Sequence, residues 1–451
     1  MKKYRIFVAL CLLEALFATQ LGGCKTAPPK DIVPNKATNE LSKAVHAEAA
    51  APYRYDAPTH WSEDMQLHNI KIHIDAEIAL PEERTFPVYS VSRHKCLDKA
   101  LRSIVETMGG EIAKVRKTGM GREEILEEIA YVARGAYAGL DEKTGQPVYG
   151  AYEGQDEQLE KLKTQLDRIE ETDKWSPVHP DSYLLPMDQT FLSDGGKKLY
   201  VSGRGENVRI TTFYKGYIQL EDWVLEGDAF PGELPHKLRN ITLSREEAQR
   251  RAEAFMVQCG LNDYVIASLQ KARILFRTYE VMTEGWQITF VRDDGLQAPI
   301  DLLRYSAGGL LSYPEEDYAA SWPAEQITVF LDEFGIQSFS WMNARLVNGV
   351  MNENVQLIPF LEIQDTIRNA LKFRLSWFNE EKAYADSELD VVVTQISLTR
   401  CTQRIAGEED QAYYAPAWAV FVTTEQNLED GIDPTILVIG ALDGSFVNVR
   451  G

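Results

Sequence analysis

Two blocks of this chain carry the same order of elements at nearly constant spacing, and that order limits the folds open to it. Residues 208–214 and 217–224 alternate apolar and polar around Lys215-Gly216 and read as a hairpin. Residues 327–331 and 336–341 read as another, across the turn at 332–335. Each hairpin precedes a helix. Ser244-Arg245-Glu246-Glu247 is a capping box, in which the Ser244 hydroxyl and the Glu247 carboxylate satisfy backbone N–H groups reciprocally. Ala248, Ala252, Phe255 and Met256 mark the inner face of that helix, and Ile363, Ile367, Ala370 and Leu371 that of a second, starting near Glu362. A strand led by tryptophan follows each helix, at Trp286 and at Trp418, and a last strand closes on a glycine turn, at 302–309 and 437–444. Ile210 and Ile327 are 117 residues apart, Ser244 and Glu362 118, Trp286 and Trp418 132, Gly309 and Gly444 135. The offset grows at 404–415 and 427–434, which are polar, as loop insertions are. So long a period marks two copies of a domain-sized unit rather than a solenoid. The predicted class is α+β: tandem units of curved antiparallel sheet with a helix packed on one face.

Upstream, residues 69–78 alternate with period two, which predicts a half-buried antiparallel strand, with 85–91 returning as its partner. Cys96, Ala100, Leu101, Ile104, Val105 and Met108 fall at helical spacing, and Gly109-Gly110 stops that helix. A second helix is predicted at about 122–137. A third, highly charged, carries Leu159, Leu162, Leu166 and Ile169 on one stripe.

The N-terminus constrains location. Met1-Lys2-Lys3-Tyr4-Arg5 is a positive n-region, and the apolar run 6–18 is shorter than the roughly 20 residues of a spanning helix, so it suits a signal peptide. Leu21-Gly22-Gly23-Cys24 resembles the bacterial lipobox, which implies that Cys24 becomes the acylated mature N-terminus. Two acyl chains hold a protein stably on a membrane where one does not. Residues 25–60 hold Pro28, Pro29, Pro34, Pro52 and Pro58 among Ala, Lys and polar residues and read as a tether, spanning on the order of 30–35 Å.

The formal charge of the 451-residue chain is −21, which argues against nucleic acid and against electrostatic docking on anionic lipid. Cys96, Cys259 and Cys401 have no CxxC or zinc-ligand spacing and read as small buried side chains. No nucleophile elbow, P-loop, HExxH or EF-hand loop occurs. His68 and His73 fall at odd spacing on one expected strand and face opposite sides, so no metal site, cofactor or catalytic residue is assigned. Asp293-Asp294-Gly295, Asp430-Gly431, Asp443-Gly444 and the run 203–206 read as turns. Glu123-Glu124, Glu127-Glu128 and Glu170-Glu171 read as solvated helix faces. Trp286 and Trp418 suit ligand stacking, but their matching places favour anchoring a strand beneath a helix.

The helix opening LSREEAQRRAEAF, the tryptophan-led strand and the closing IGALDGS resemble the PepSY-type repeat of bacterial envelope proteins. ITVFLDEFGIQSFSWMN followed by NVQLIPFLEI is similar to membrane-anchored accessory proteins that restrain a cell-wall sensor kinase in Gram-positive bacteria. Those carry a transmembrane helix where this chain has a lipobox; the whole resembles uncharacterised Gram-positive surface lipoproteins. The resemblance, over roughly 206–450, implies binding or inhibition rather than catalysis. The expected division is a signal peptide (1–23), a lipidated tether (24–60), an N-terminal α+β domain (61–198) and PepSY-like units at 199–320 and 321–451. The expected function is a non-enzymatic extracytoplasmic lipoprotein, on the membrane through Cys24, that binds or modulates a protein, peptide or cell-wall partner. The alternative is a substrate-binding lipoprotein of a transporter.

Overall fold

The computed structural model describes residues 39–93, 98–116, 121–140, 147–169, 174–183, 187–213, 217–220, 238, 241–275, 281–293, 295, 300–306, 322–380, 388–405 and 407–449. The fold is mixed, with sheet predominating over helix. The strands of its first half are β1 (His60–Leu67), β2 (Ile70–Ala79), β3 (Val88–Arg93), β4 (Ile112–Arg116), β5 (Ala136–Leu140), β6 (Pro147–Gly150), β7 (Ser176–Pro177), β8 (Met187–Ser193), β9 (Lys198–Arg204), β10 (Asn207–Thr211) and β11 (Tyr217–Leu220). Those of its second half are β12 (Tyr264–Leu275), β13 (Val281–Arg292), β14 (Gln326–Asp332), β15 (Gly335–Met342), β16 (Arg345–Asn352), β17 (Leu389–Arg404), β18 (Gln411–Thr424) and β19 (Thr435–Gly440).

Apart from β5 and β6, which pair with each other alone, these strands form two large open sheets, uncurled where curved units were expected. One has seven strands in the order β1-β2-β17-β18-β3-β16, with β19 also on β18. The other has ten, in the order β11-β12-β13-β14-β15-β10-β9-β8-β4-β7. The chain builds β1 to β3 of the first sheet, makes the whole second sheet, and returns at β16 to finish the first. Sheet membership therefore does not follow the expected division at 198/199 and 320/321. The hairpin β14–β15 belongs to the ten-stranded sheet, although the helix after it covers the other one.

Several predicted pairings are corrected. β2 turns back onto β1 rather than onto β3, because Leu67 pairs with Ile70 across the tight turn His68-Asn69. His68 takes the positive φ of 53° that the turn needs, a region tolerated by His and Asn more than by bulkier residues. His68 thus lies in a turn, not on a strand with His73. β2 then runs parallel to β17, an exception to the antiparallel rule of the other pairs. β10 and β11 are not a hairpin: β10 is flanked by β9 and β15, and β11 pairs with β12. Residues 302–306 are helical, not a strand, because the Asp301 carboxylate accepts the Arg304 N–H at 3.1 Å and caps a helical turn. Gly309 lies outside the described residues.

Other expectations hold. Helix Arg245–Gln258 begins with the Ser244 hydroxyl accepting the Glu247 N–H, although the Glu247 carboxylate engages Arg250 and Arg251 instead of the cap. Its Ala248, Ala252, Phe255 and Met256 pack with Leu101, Ile104 and Val105 of helix Asp98–Gly109 onto the ten-stranded sheet. Helix Phe360–Glu380 lays Ile363, Ile367 and Leu371 over Ile72, Ile74 and Trp418 of the seven-stranded sheet. The two helices are followed by β12, β13, β14 and by β17, β18, β19, each set in adjacent antiparallel order. Trp286 and Trp418 lie on the middle strand of each set.

The stretch read as tether is folded from Asn39 onward. Helix Asn39–Val45 buries Leu41 and Val45 against the seven-stranded sheet, and Tyr53 follows. Asn352 donates to the carbonyls of Val45 and Ala47, and Asn354 to those of Ala50 and Ala51 while its oxygen accepts the Phe86 N–H. These bonds satisfy backbone groups that an irregular segment would otherwise leave unpaired.

Trp418 is 1% exposed and its ring centroid lies 5.1 Å from that of Phe360. Truncating a buried aromatic removes its transfer energy and leaves a cavity, so Trp418→Ala is expected to cost about 3–5 kcal/mol in guanidinium unfolding. An unchanged midpoint would move Trp418 out of the core and into ligand contact.

Candidate functional site between the sheets

The two sheets meet where β15 hands the chain to β16. The carboxylate of Glu325, just before β14, organises that junction. Its Oε2 accepts Arg292 Nε at 2.9 Å. Its Oε1 accepts the Tyr264 hydroxyl at 2.7 Å, the Arg345 backbone N–H at 2.8 Å and Trp341 Nε1 at 3.0 Å. Arg292 also donates to the Tyr264 hydroxyl and to the Arg345 carbonyl, at 2.7 and 3.1 Å. Burial and the neighbouring Glu325 carboxylate hold the Tyr264 hydroxyl well above its ordinary range, so it stays protonated and donates. Beside this network, Arg93 pairs with Glu206 at 2.5 Å, and the guanidinium carbons of Arg93 and Arg345 lie 4.7 and 4.6 Å from the Trp322 ring centroid.

Two cavities line the junction. A cavity of about 50 Å³ is walled by Arg292 and Glu325 of one sheet, Arg345 at the crossing, and Arg400, Thr402 and Tyr414 of the other. A second, of about 190 Å³, is lined by Ser268, Asp301, Arg304, Gln395, Ser397 and Phe421. Ile300 touches both. Asp301 is buried, which raises its pKa against hydrogen bonds from the Arg304 N–H and Gln326. Cys401 lines the smaller cavity, where burial pushes its thiol up to about 12 and leaves it without nucleophilic character. Among the described residues no cluster of three or more His, Cys, Asp or Glu could hold a metal ion. The arrangement suits recognition of a polar or charged group.

The residues singled out in the sequence do not converge here. Cys24, Cys96, Glu170 and Glu171 lie outside the described residues, and Cys259 is buried at the end of its helix. Trp286 is 9% exposed and donates to the Leu243 carbonyl at 2.9 Å, beneath helix Arg245–Gln258. His60 pairs with Asp75 and His73 with Asp64 on the exposed face of β1 and β2. Gly205, Gly295, Gly431 and Gly444 take positive φ in turns, as read. No motif pointed to Arg292, Glu325, Arg345 or Arg400. The available signal was a charged residue inside an apolar strand run, as in the Leu398-Thr399-Arg400-Cys401 stretch.

One reading is overturned outright. Glu124 and Glu128 are buried, not solvated. Glu124 accepts Arg116 Nη2 at 3.0 Å, Lys198 Nζ at 2.9 Å, the Tyr200 hydroxyl at 3.1 Å and the Gly121 N–H at 2.8 Å, so it ties helix Arg122–Arg134 to β4 and β9. A helical face looks solvated in sequence when its partners are cations on other elements, here Arg116 on β4 and Lys198 on β9.

No family model matches the chain, and no curated protein matches it. Among solved structures, an uncharacterized protein from Eubacterium rectale ATCC 33656 is 11% identical, with a TM-score of 0.37, covering 91% of this chain and 98% of that one. That likeness is too slight to carry an argument.

For Glu124, burial raises the pKa, but the hydrogen bonds from Lys198 and the backbone and the charges of Arg116 and Lys198 outweigh it and bring the carboxyl down to about 2. A carboxylate with a depressed folded pKa contributes stability above its unfolded pKa, near 4.5, and loses it as pH falls toward 2. Unfolding midpoints followed from pH 6 to pH 3 should fall, and Glu124→Gln should flatten that decline while lowering stability at pH 6. An acid limb unchanged in the variant would show that other carboxylates govern it.

Proposed function

We propose that this chain is a non-enzymatic extracytoplasmic lipoprotein, held on the membrane through Cys24, that binds an extended basic segment of a protein or peptide partner along β16. The observation that carries this is the character of that strand. β16 ends the seven-stranded sheet, and among the described residues its strand neighbour is β3 alone. Leu346, Val347, Val350 and Met351 are exposed by 38–50% along it. No charged side chain falls between Leu346 and Asn352. Protein edges are ordinarily blunted by lysine, proline or inward charges, and an apolar edge is a template for another strand. The net charge of −21 favours a basic partner and steers its approach.

The tandem-unit reading belongs with this proposal. The blocks around helix Arg245–Gln258 and helix Phe360–Glu380, each with its tryptophan strand, are taken as diverged copies of a PepSY-like unit. The support is the shared strand order and the shared place of Trp286 and Trp418. The alternative, a solute-binding lipoprotein of a transporter, draws on one feature, the polar cavities between two sheets that the chain joins by separate crossings.

Affinity isolation from detergent-solubilised membranes, with Val347→Lys/Val350→Lys as the comparison chain, tests the edge. A partner retained by the unmodified chain, lost from the lysine variant and released as salt rises is expected. Equal retention by both chains would remove β16 from the reading, and turnover of peptide, ester or glycoside substrates would overturn the non-enzymatic part. For the anchor, Cys24→Ser is expected to abolish labelling by a palmitate analogue and to shift the protein off the membrane or leave an uncleaved precursor. Equal labelling of the variant would refute it.

A further inference from the structure

We propose that the smaller junction cavity is a binding site for a small, singly charged anion, held by the guanidinium of Arg345. This goes beyond the partner reading and does not depend on it. Arg345 is 5% exposed and lines the cavity. Its Nη2 donates to the Pro323 carbonyl at 2.6 Å, but Nε and Nη1, both shielded from water, have no hydrogen-bond partner. A buried donor left without a partner is destabilising, more so on a charged group.

The charge balance around Arg345 sharpens the point. Arg93 is neutralised by Glu206 and Arg292 by Glu325. Glu325 already accepts four hydrogen bonds, none of them from the Arg345 guanidinium. Asp263 also approaches Arg292, at 4.0 Å, but Arg345 forms no ion pair with any described residue, so its guanidinium has no carboxylate partner of its own. Arg400 lines the same cavity from the other sheet. Burial draws the Arg345 guanidinium down to about 10, still protonated at neutral pH, so deprotonation does not relieve the imbalance. An uncompensated buried ion costs several kcal/mol.

A water molecule would satisfy the N–H groups but not the charge. The cavity, at about 50 Å³, exceeds the roughly 10–15 Å³ that one water requires. It accommodates a halide or the carboxylate head of a small organic acid; these share the chemistry of a monovalent acceptor for charge-assisted hydrogen bonds. Because Arg345, Arg292 and Glu325 come from the ten-stranded side and the crossing, and Arg400 and Tyr414 from the seven-stranded side, an ion bound here couples the two sheets.

The test uses the full-length chain in detergent. Its melting temperature is followed as bromide, and in a second arm acetate, replaces gluconate at constant ionic strength. A ligand that binds only the folded state raises stability with the logarithm of its concentration above Kd. A rise in either arm that begins at a definite concentration and weakens at least about tenfold in Arg345→Met supports the site, since hydrogen bonds from a charged donor are among the strong ones. A rise confined to bromide assigns an inorganic halide; a rise confined to acetate assigns a carboxylate ligand. No response in either arm, or an equal response in Arg345→Met, overturns the proposal. Should that variant not fold, crystals of the unmodified chain soaked in bromide decide. An anomalous peak within hydrogen-bond distance of Arg345 Nε or Nη1 supports the site, and water alone in the cavity overturns it.

Discussion

The buried carboxylate of Glu325 is the interaction on which the arrangement of this molecule rests. One side chain accepts hydrogen bonds from the start of β12 (Tyr264), the end of β13 (Arg292), the end of β15 (Trp341) and the first residue of β16 (Arg345). Those positions border the place where the chain leaves one sheet and enters the other. A carboxylate with four donors in a dry site is strongly held, and each donor is directional, so the crossing is fixed in angle as well as in position. Removing it would take one acceptor from three neutral donors and the buried carboxylate partner from Arg292 together, a larger loss than any single apolar contact at the junction.

The nesting of the two sheets follows from that crossing. The ten-stranded sheet is built within residues 112–342, whereas the seven-stranded sheet joins strands from both ends of the chain. β2 lies beside β17, more than 300 residues later, in parallel register, and the segment from Asn39 is clamped by Asn352 and Asn354. Such pairings carry a high loop-closure cost and reward the chain late in folding. The seven-stranded sheet is therefore a long-range structure completed only when its C-terminal strands are available, closed over by helix Phe360–Glu380 and its contact with Trp418.

Local elements were legible because their signals are local. The spacing of Leu101, Ile104, Val105 and Met108 marked a helix through the 3.6-residue period alone, and Ile363, Ile367 and Leu371 did the same. Ser244 marked a helix start because its hydroxyl bonds an N–H three residues on, whatever the rest of the chain does. The hairpin β14–β15 was readable from alternation and from the turn closing at Gly335. Errors arose where one residue's partner decided the outcome. Asp301 turned an apolar run into a short helix, and His68 supplied a turn with no glycine to announce it. At the candidate site, Arg292, Glu325, Arg345 and Arg400 are spread over more than 100 residues, and nothing in the spacing of charged residues among 68 acids and 47 bases selects them.

The sequence by itself determined the longer helices, about half of the strands, the turn glycines and the inward faces, since periodicity and capping depend on neighbours a few residues away. Only the tertiary structure decided which strands share a sheet, that β2 and β17 run parallel, that Glu124 is buried rather than solvated, and that Arg345 keeps two buried N–H groups without a partner beside a cavity. Strand pairing is set by backbone hydrogen bonds, which look alike at every residue. The state of a charge is set by whatever stands beside it in space, and neither of these is written in the local order of residues.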